Sequence, residues 1–234
     1  GGGPISAESQ KCMESWKKYC PDYKIIEWND QNFDISTNRY AQQAYEAKKY
    51  AFVSDYVRLA VLYEYGGIYL DTDVELVRPL DELLELPGFM GFQTNNEVAT
   101  GLGFGARKGN LVVQALLRDY DALDFLKADG SADLTPCPER NTRVLQALGV
   151  RKDGTRQSIA EMEIFPAEYF CPMDLYNRKL RVTPKTYSIH CYAESWKPKP
   201  SAVSRILQRL LKKHYYTWYC PLRGRIEGRL RKRT

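Results

Sequence analysis

The chain has 234 residues, 44% of them hydrophobic, which suffices for one domain with a sizeable core, and it has no apolar run of the roughly 18 residues needed to cross a bilayer. Net charge is +5, yet from Lys197 onward twelve Lys and Arg stand against one acid, Glu227; with +11 in that stretch, the preceding residues carry −6. An acidic body with a basic end points to an anionic partner for the end, and the absence of any nucleic-acid-binding motif favours lipid over nucleic acid.

Gly1-Gly2-Gly3-Pro4 reads as a loop. Ser6 to Tyr19 has the spacing of a helix, with Cys12, Met13, Trp16 and Tyr19 near one face, and Pro21-Asp22 breaks it. Lys24 to Trp28 is expected as a short strand, Asn29 to Asn38 as turns, and Arg39 to Lys49 as a helix. Phe52 to Tyr65 reads as a mostly buried helix that carries Asp55 and Arg58, three residues apart. Gly66-Gly67 stops it, because glycine takes the left-handed helix-ending conformation without a Cβ penalty. Ile68 to Leu70 is expected as a buried strand, continued after the acids by Val74 to Val77.

Further along, Gly88 to Thr94 reads as a strand and the glycine-flanked Leu102 to Ala106 as an extended, closely approached segment. Asn110 to Tyr120 is helical, Asp129 to Arg140 loop-like, and Asn141 to Leu148 helical. Glu163 to Phe165 and Val182 to His190 supply late strands. Ser201 to His214 has an amphipathic helical pattern, with Val203, Ile206, Leu207, Leu210 and Leu211 on its apolar side. Tyr215, Tyr216, Trp218 and Tyr219 and a run of arginines follow, a composition that suits either a packed terminal helix or an anchor at an anionic membrane surface. Alternating helices and strands define an α/β class with a mixed sheet. Residues 1–200 form the main domain and 201–234 a basic end.

The six cysteines are Cys12, Cys20, Cys137, Cys171, Cys191 and Cys220. None forms a C-x-x-C pair, which argues against structural zinc. Without a signal-peptide pattern or an Asn-x-Ser/Thr sequon, the expected setting is a reducing, cytoplasmic one.

The chemistry concentrates at Asp71-Thr72-Asp73. On an extended segment, carboxylates at i and i+2 share a face. At a strand's carboxyl end, where open α/β sheets bind ligands, they form a hard oxygen site suited to Mg²⁺ or Mn²⁺ with a substrate diphosphate. Side chains two apart on a strand start roughly 6–7 Å from each other. One ion bonded at about 2.1 Å therefore reaches both only if they lean inward. Asp73 is thus expected on the metal, and Asp71 on bound water or a sugar hydroxyl. Asp55 and Arg58 read either as an exposed helical ion pair or as a grip on a sugar.

Ser54-Asp55-Tyr56-Val57-Arg58, followed by Tyr65-Gly66-Gly67-Ile68-Tyr69-Leu70-Asp71-Thr72-Asp73-Val74, closely resembles the DXD sugar-transferase family, glycosyltransferase family 32. That family includes capsular-polysaccharide enzymes and Golgi mannosyltransferases. Cys12 to Tyr19, Glu27-Trp28-Asn29, Ile189-His190 and Ser195-Trp196 are similar to its bacterial capsular members. The resemblance implies a GT-A fold, a nucleotide-sugar donor, Mn²⁺ or Mg²⁺, and retaining transfer to a saccharide or lipid-linked saccharide. By the same resemblance Asp55 and Arg58 hold the donor sugar, Asp71 and Asp73 serve nucleotide and metal, and His190 is a candidate metal ligand. His190, Ser195 and Trp196 would close over the diphosphate. The family's first strand and base-binding turn would precede Gly1. Cys191 departs from the paired histidines of many relatives. A nucleotide-sugar hydrolase and a non-catalytic carbohydrate-binding protein remain the rival readings, and cell-envelope polysaccharide synthesis at the inner membrane face is the implied setting.

Overall fold

The computed structural model describes residues 5–174 and 178–192. Helix α1, Ala7–Tyr19, begins where Ser6 Oγ accepts the Ser9 N–H at 3.1 Å, and it buries Cys12 and Trp16, one turn apart. Its Trp16 indole donates to Val74 O at 2.7 Å, and Ser15 Oγ accepts the Leu76 N–H at 2.8 Å. Both bonds tie the helix to the strand that follows the acidic motif.

Helix α2, Arg39–Glu46, is capped by Asn38, and α3, Tyr50–Tyr65, packs against it. Along α3 the residues Phe52, Val53, Tyr56, Leu59 and Leu62 enter the core, at roughly 1.5–3 kcal/mol for each large apolar side chain buried. At the end of α3, Gly66 has φ +71° and returns its N–H to Leu62 O at 2.9 Å. A Cβ there would also meet Lys108 N at 2.8 Å, so conformation and space both require glycine.

Strand β1, Gly67–Tyr69, then lies at the edge of the main sheet, and β2, Val74–Leu76, belongs to a different one. The expectation that Val74–Val77 continues the first strand is corrected here. Val74 N–H donates to Asp71 O at 3.0 Å, so the acidic motif is a tight turn by which the chain leaves one sheet for another. After the short helix α4, Asp81–Leu84, come β3, Gly88–Phe92, β4, Val98–Ala99, and β5, Phe104–Ala106, with a 3₁₀ turn over Thr100–Leu102. Helix α5, Leu111–Asp121, is capped by Asn110, whose Oδ1 accepts from Val112 and Val113. Helix α6, Cys137–Ala147, starts earlier than the loop expected to Arg140, because Pro138 is pre-set for a first turn. Strands β6, Gln157–Ile159, and β7, Met162–Phe165, the helix α7, Ala167–Phe170, and β8, Ser188–His190, complete the described chain.

The main sheet runs β1-β5-β3-β7-β6, with β4 also on β3. Among the described residues only β3 and β7 pair in parallel; the other ladders are antiparallel, so the α/β class with a mixed central sheet holds. The period of two is visible in β3. Met90 and Phe92 face a core shared with α2, α3 and α5, while Phe89 faces a second core with Phe165, Phe170 and Tyr187. The small second sheet pairs β2 with β8, placing Val74 opposite His190, and α1 covers it.

Lys24–Trp28 joins no ladder. Ile25 and Ile26 stay 43% and 50% exposed, and without pairing or burial β-propensity alone does not make a strand. Of Val182–His190, only the last three residues are paired. Ser201–His214 and the basic end lie outside the described residues. No described helix is long and apolar enough to cross a membrane.

Candidate active site

The turn between the sheets brings three of the expected residues together. Asp71, Asp73 and His190 each offer one ligand atom, all within 4.8 Å of one another. His190 reaches this point because it ends β8 directly opposite Val74, and its Nε2 lies 3.3 Å from Asp73 Oδ1. Cys191 N–H donates to Asp73 O at 2.9 Å and fastens the backbones just past the ladder. In an octahedral site with bonds of about 2.1 Å, ligands lie roughly 3.0–4.2 Å apart. Two carboxylates and an imidazole gathered this closely therefore fit one divalent cation with only small side-chain adjustment. The wider separation expected for an extended segment does not apply, because the tight turn swings Asp73 back toward Asp71.

Asp71 is held from behind. Arg58 Nη2 donates to its two oxygens at 3.1 and 3.4 Å, and the Tyr69 hydroxyl donates to Oδ1 at 2.9 Å. The Tyr69 ring also carries the guanidinium, 5.2 Å from its centroid. Arg58 Nη1 lies 3.1 Å from Asp55 Oδ1, and Nη2 also reaches Ser54 Oγ at 3.2 Å. One guanidinium thus joins two carboxylates, and the exposed helical ion pair is excluded: the Arg58 side chain is 5% accessible and that of Asp55 13%. Gly101 closes the other side. A Cβ there would run into Asp71 Oδ2, so the Thr100–Leu102 turn comes this close only with glycine.

A buried polar knot lies behind Arg58. Cys137 Sγ is 3.7 Å from Arg58 Nη1 and 3.3 Å from Thr100 Oγ1, and Asn141 Nδ2 donates to both Thr100 and Cys137 at 3.2 Å. Burial pushes the Asp55 carboxyl up to about 6, against the pull of Arg58. Burial also pushes the Cys137 thiol up to about 12. Burial alone would lower Arg58, but Asp71, Tyr69 and Asp55 raise it well above its ordinary value, so it stays cationic. Burial raises Tyr69 as well, leaving a neutral hydroxyl donor beside Asp71.

Of the residues expected from sequence, Asp55, Arg58, Asp71, Asp73 and His190 converge. Ser195 and Trp196 lie outside the described residues. Tyr69, Thr100 and Cys137 were given no part in the chemistry by the sequence, whereas Gly101 reads with Asn95-Asn96 either as a loop placed for acceptor or donor contacts or as turn chemistry. A signal was there for Tyr69, which shares its strand face with Asp71. His190 has a further neighbour in Tyr192, whose ring stands edge-on at 4.2 Å and whose hydroxyl lies 2.8 Å from Cys171 Sγ.

Residues 6–89, which contain α1, α3 and the acidic turn, match the family model described as a glycosyltransferase sugar-binding region containing a DXD motif. An inositol phosphoceramide mannosyltransferase of Schizosaccharomyces pombe is 30% identical over 133 residues, covering 50% of this chain and 36% of that protein. A mannosyl phosphorylinositol ceramide synthase of Saccharomyces cerevisiae is 35% identical over 123 residues, covering 50% and 31%. The chain spans about a third of the length of these curated relatives. A solved glycosyltransferase, PaToxG, superposes with a TM-score of 0.43 at 20% identity, over 63% of this chain and 65% of that one; a likeness so low adds no argument. The family match and the relatives support a sugar transferase. They do not point specifically to bacterial capsule enzymes, since both relatives are fungal.

Proposed function

We propose that this chain is the catalytic part of a metal-dependent, retaining glycosyltransferase of GT-A type that moves a sugar from a nucleotide donor to a saccharide or lipid-linked hydroxyl. The observation that carries the reading is the convergence of Asp71, Asp73 and His190 at the turn between the sheets, the two aspartates lying within the stretch matched by a sugar-binding DXD model.

Asp73 and His190 would hold Mn²⁺ or Mg²⁺, with Asp71 completing the site directly or through water. A divalent cation there supplies positive charge to a departing nucleoside diphosphate. The protein's own part is positional. Arg58 and Tyr69 fix the Asp71 carboxylate before any ligand arrives, and the β2–β8 ladder fixes Asp73 against His190. Asp55 presents an acceptor oxygen to donor-sugar hydroxyls, and Arg58 acts on the sugar by setting Asp55. With burial moving its carboxyl to about 6, Asp55 is mostly ionised at neutral pH. An acceptor carried on lipid is supported by the activities named for the fungal relatives and by the basic composition from Lys197 onward. Ser195 and Trp196 as a cover over the diphosphate, and attachment of the enzyme to the inner face of a membrane, belong to the same proposal.

The test is a donor screen by mass spectrometry with Mn²⁺, mixed nucleotide sugars and saccharide or glycolipid acceptors. Transfer should require the metal. Asp73→Asn should abolish metal-dependent turnover with an unchanged circular dichroism spectrum, and near-normal turnover in that variant would overturn the metal assignment. Free sugar as the sole product under every condition would favour hydrolysis instead.

A further inference from the structure

Cys12 lies one turn before Trp16 on α1, and the Trp16 indole bonds Val74 O at 2.7 Å. Val74 in turn pairs with His190, and Cys191 comes next. The docking of α1 on β2 therefore carries Cys12 to the end of the β2–β8 ladder. There its side chain hydrogen-bonds with that of Cys191, although the two residues are far apart in the chain. Cys12 is 3% exposed and Cys191 intermediate, and both are free thiols. A lone buried cysteine packs as a small hydrophobe. Two thiols facing each other from separate elements form a site where a short approach makes a covalent bond.

We propose that Cys12 and Cys191 are an oxidation site that closes to a disulfide, stapling α1 to the chain directly after His190. With hydrogen peroxide as oxidant, the more accessible Cys191 sulfur takes one oxygen, giving a sulfenic acid and one water. The Cys12 sulfur then attacks that sulfur, the S–S bond forms, and the hydroxyl leaves as a second water. Two thiols lose two electrons and two protons in total, and the peroxide takes both. Cys12 is shut off from solvent and Cys191 only partly open to it, so closure needs excess oxidant and hours; the pair is a slow staple, unlike an exposed sensor. The product joins the covering helix to the strand end beside Asp73 without using an atom of the three-residue cluster. It does not depend on the proposed transferase activity.

The experiment treats the folded, fully reduced chain with excess peroxide, caps remaining thiols with iodoacetamide and maps tryptic peptides without reduction. The expected result is the peptide of residues 12–17 linked to the peptide that begins at Thr186 and contains Cys191, with Cys20, Cys137, Cys171 and Cys220 alkylated. Oxidation should also raise the thermal midpoint of the wild type and leave that of Cys12→Ala and Cys191→Ser unchanged. Should either variant fold poorly, the wild-type map decides alone. Separately alkylated Cys12 and Cys191 after prolonged oxidation, sulfinic acid at Cys191, or a link to another cysteine would each overturn the proposal.

Discussion

Replacing Arg58 by Met tests the reasoning about the site most directly. The guanidinium is almost wholly enclosed and lies 3.1 Å from both Asp55 and Asp71. Met fills similar length but leaves two partly buried carboxylates facing each other with no cation between them. Breaking a buried pair from one side costs about 3–5 kcal/mol. Against a total stability of about 5–15 kcal/mol, and at roughly 2–4 °C per kcal/mol for a chain of this size, the thermal midpoint should drop by about 6–20 °C. The loss should also depend on pH in a set direction. Asp55 has a folded pKa raised from its ordinary value to about 6, so its contribution is fully present below the ordinary carboxylate pKa and is lost as pH rises through about 6. Without Arg58, which pulls that pKa down, protonation relieves Asp55 at still higher pH. The variant's deficit should therefore be smaller at pH 5 than at pH 8. Urea denaturation at both pH values measures it, with Arg58→Met/Asp55→Asn completing a double-mutant cycle. Coupling of about 1–3 kcal/mol is expected for residues in one network. A deficit below about 1 kcal/mol that is equal at both pH values would refute the account of Arg58 as the cation between two carboxylates.

Other outcomes follow from neighbouring contacts. Gly101→Ala puts a methyl against Asp71 Oδ2, and calorimetric titration with Mn²⁺ should show binding weakened about 10–100-fold, as for other disturbances of ligand orientation. In the α5–α6 region, Asp133 accepts from the buried Arg140 at 2.6 Å and from Thr135, and its pKa lies at about 2. A lowered carboxylate pKa stabilises above the ordinary value and is lost as pH falls through about 2. Acid unfolding between pH 4 and 2 should thus lose about 1–2 kcal/mol, allowing for solvent screening at this partly exposed group, and Asp133→Asn should remove that slope.

The helices were largely legible because their signals are local. Ser6 before an apolar stripe, Asn110 before Leu111, and a double glycine after Tyr65 act within one turn of the residues they organise. The five converging site residues were legible for a different reason: their types and spacing limit the chemistry. The shape of the acidic motif was not. Carboxylates at i and i+2 are compatible with a strand or a turn, and only the partner of β2 decides between them. That partner, β8, lies more than a hundred residues away. Lys24–Trp28 failed for the same reason, since a strand needs a neighbour that its own residues do not name. Cys137 was hidden because a single thiol in a loop-like stretch carries no sign of the arginine it will meet.

The junction at Asp71–Asp73 has a mechanical consequence. Asp71 is anchored to α3 through Arg58, whereas Asp73 and His190 ride on the small sheet beneath α1. A cation gripping all three would act as a rivet between two blocks of the molecule. Loading should then toughen the whole against heat: at a hundred times its dissociation constant, Mn²⁺ adds about 2.7 kcal/mol. The same rivet is lost if either block slips, so the distance between blocks becomes a control on loading.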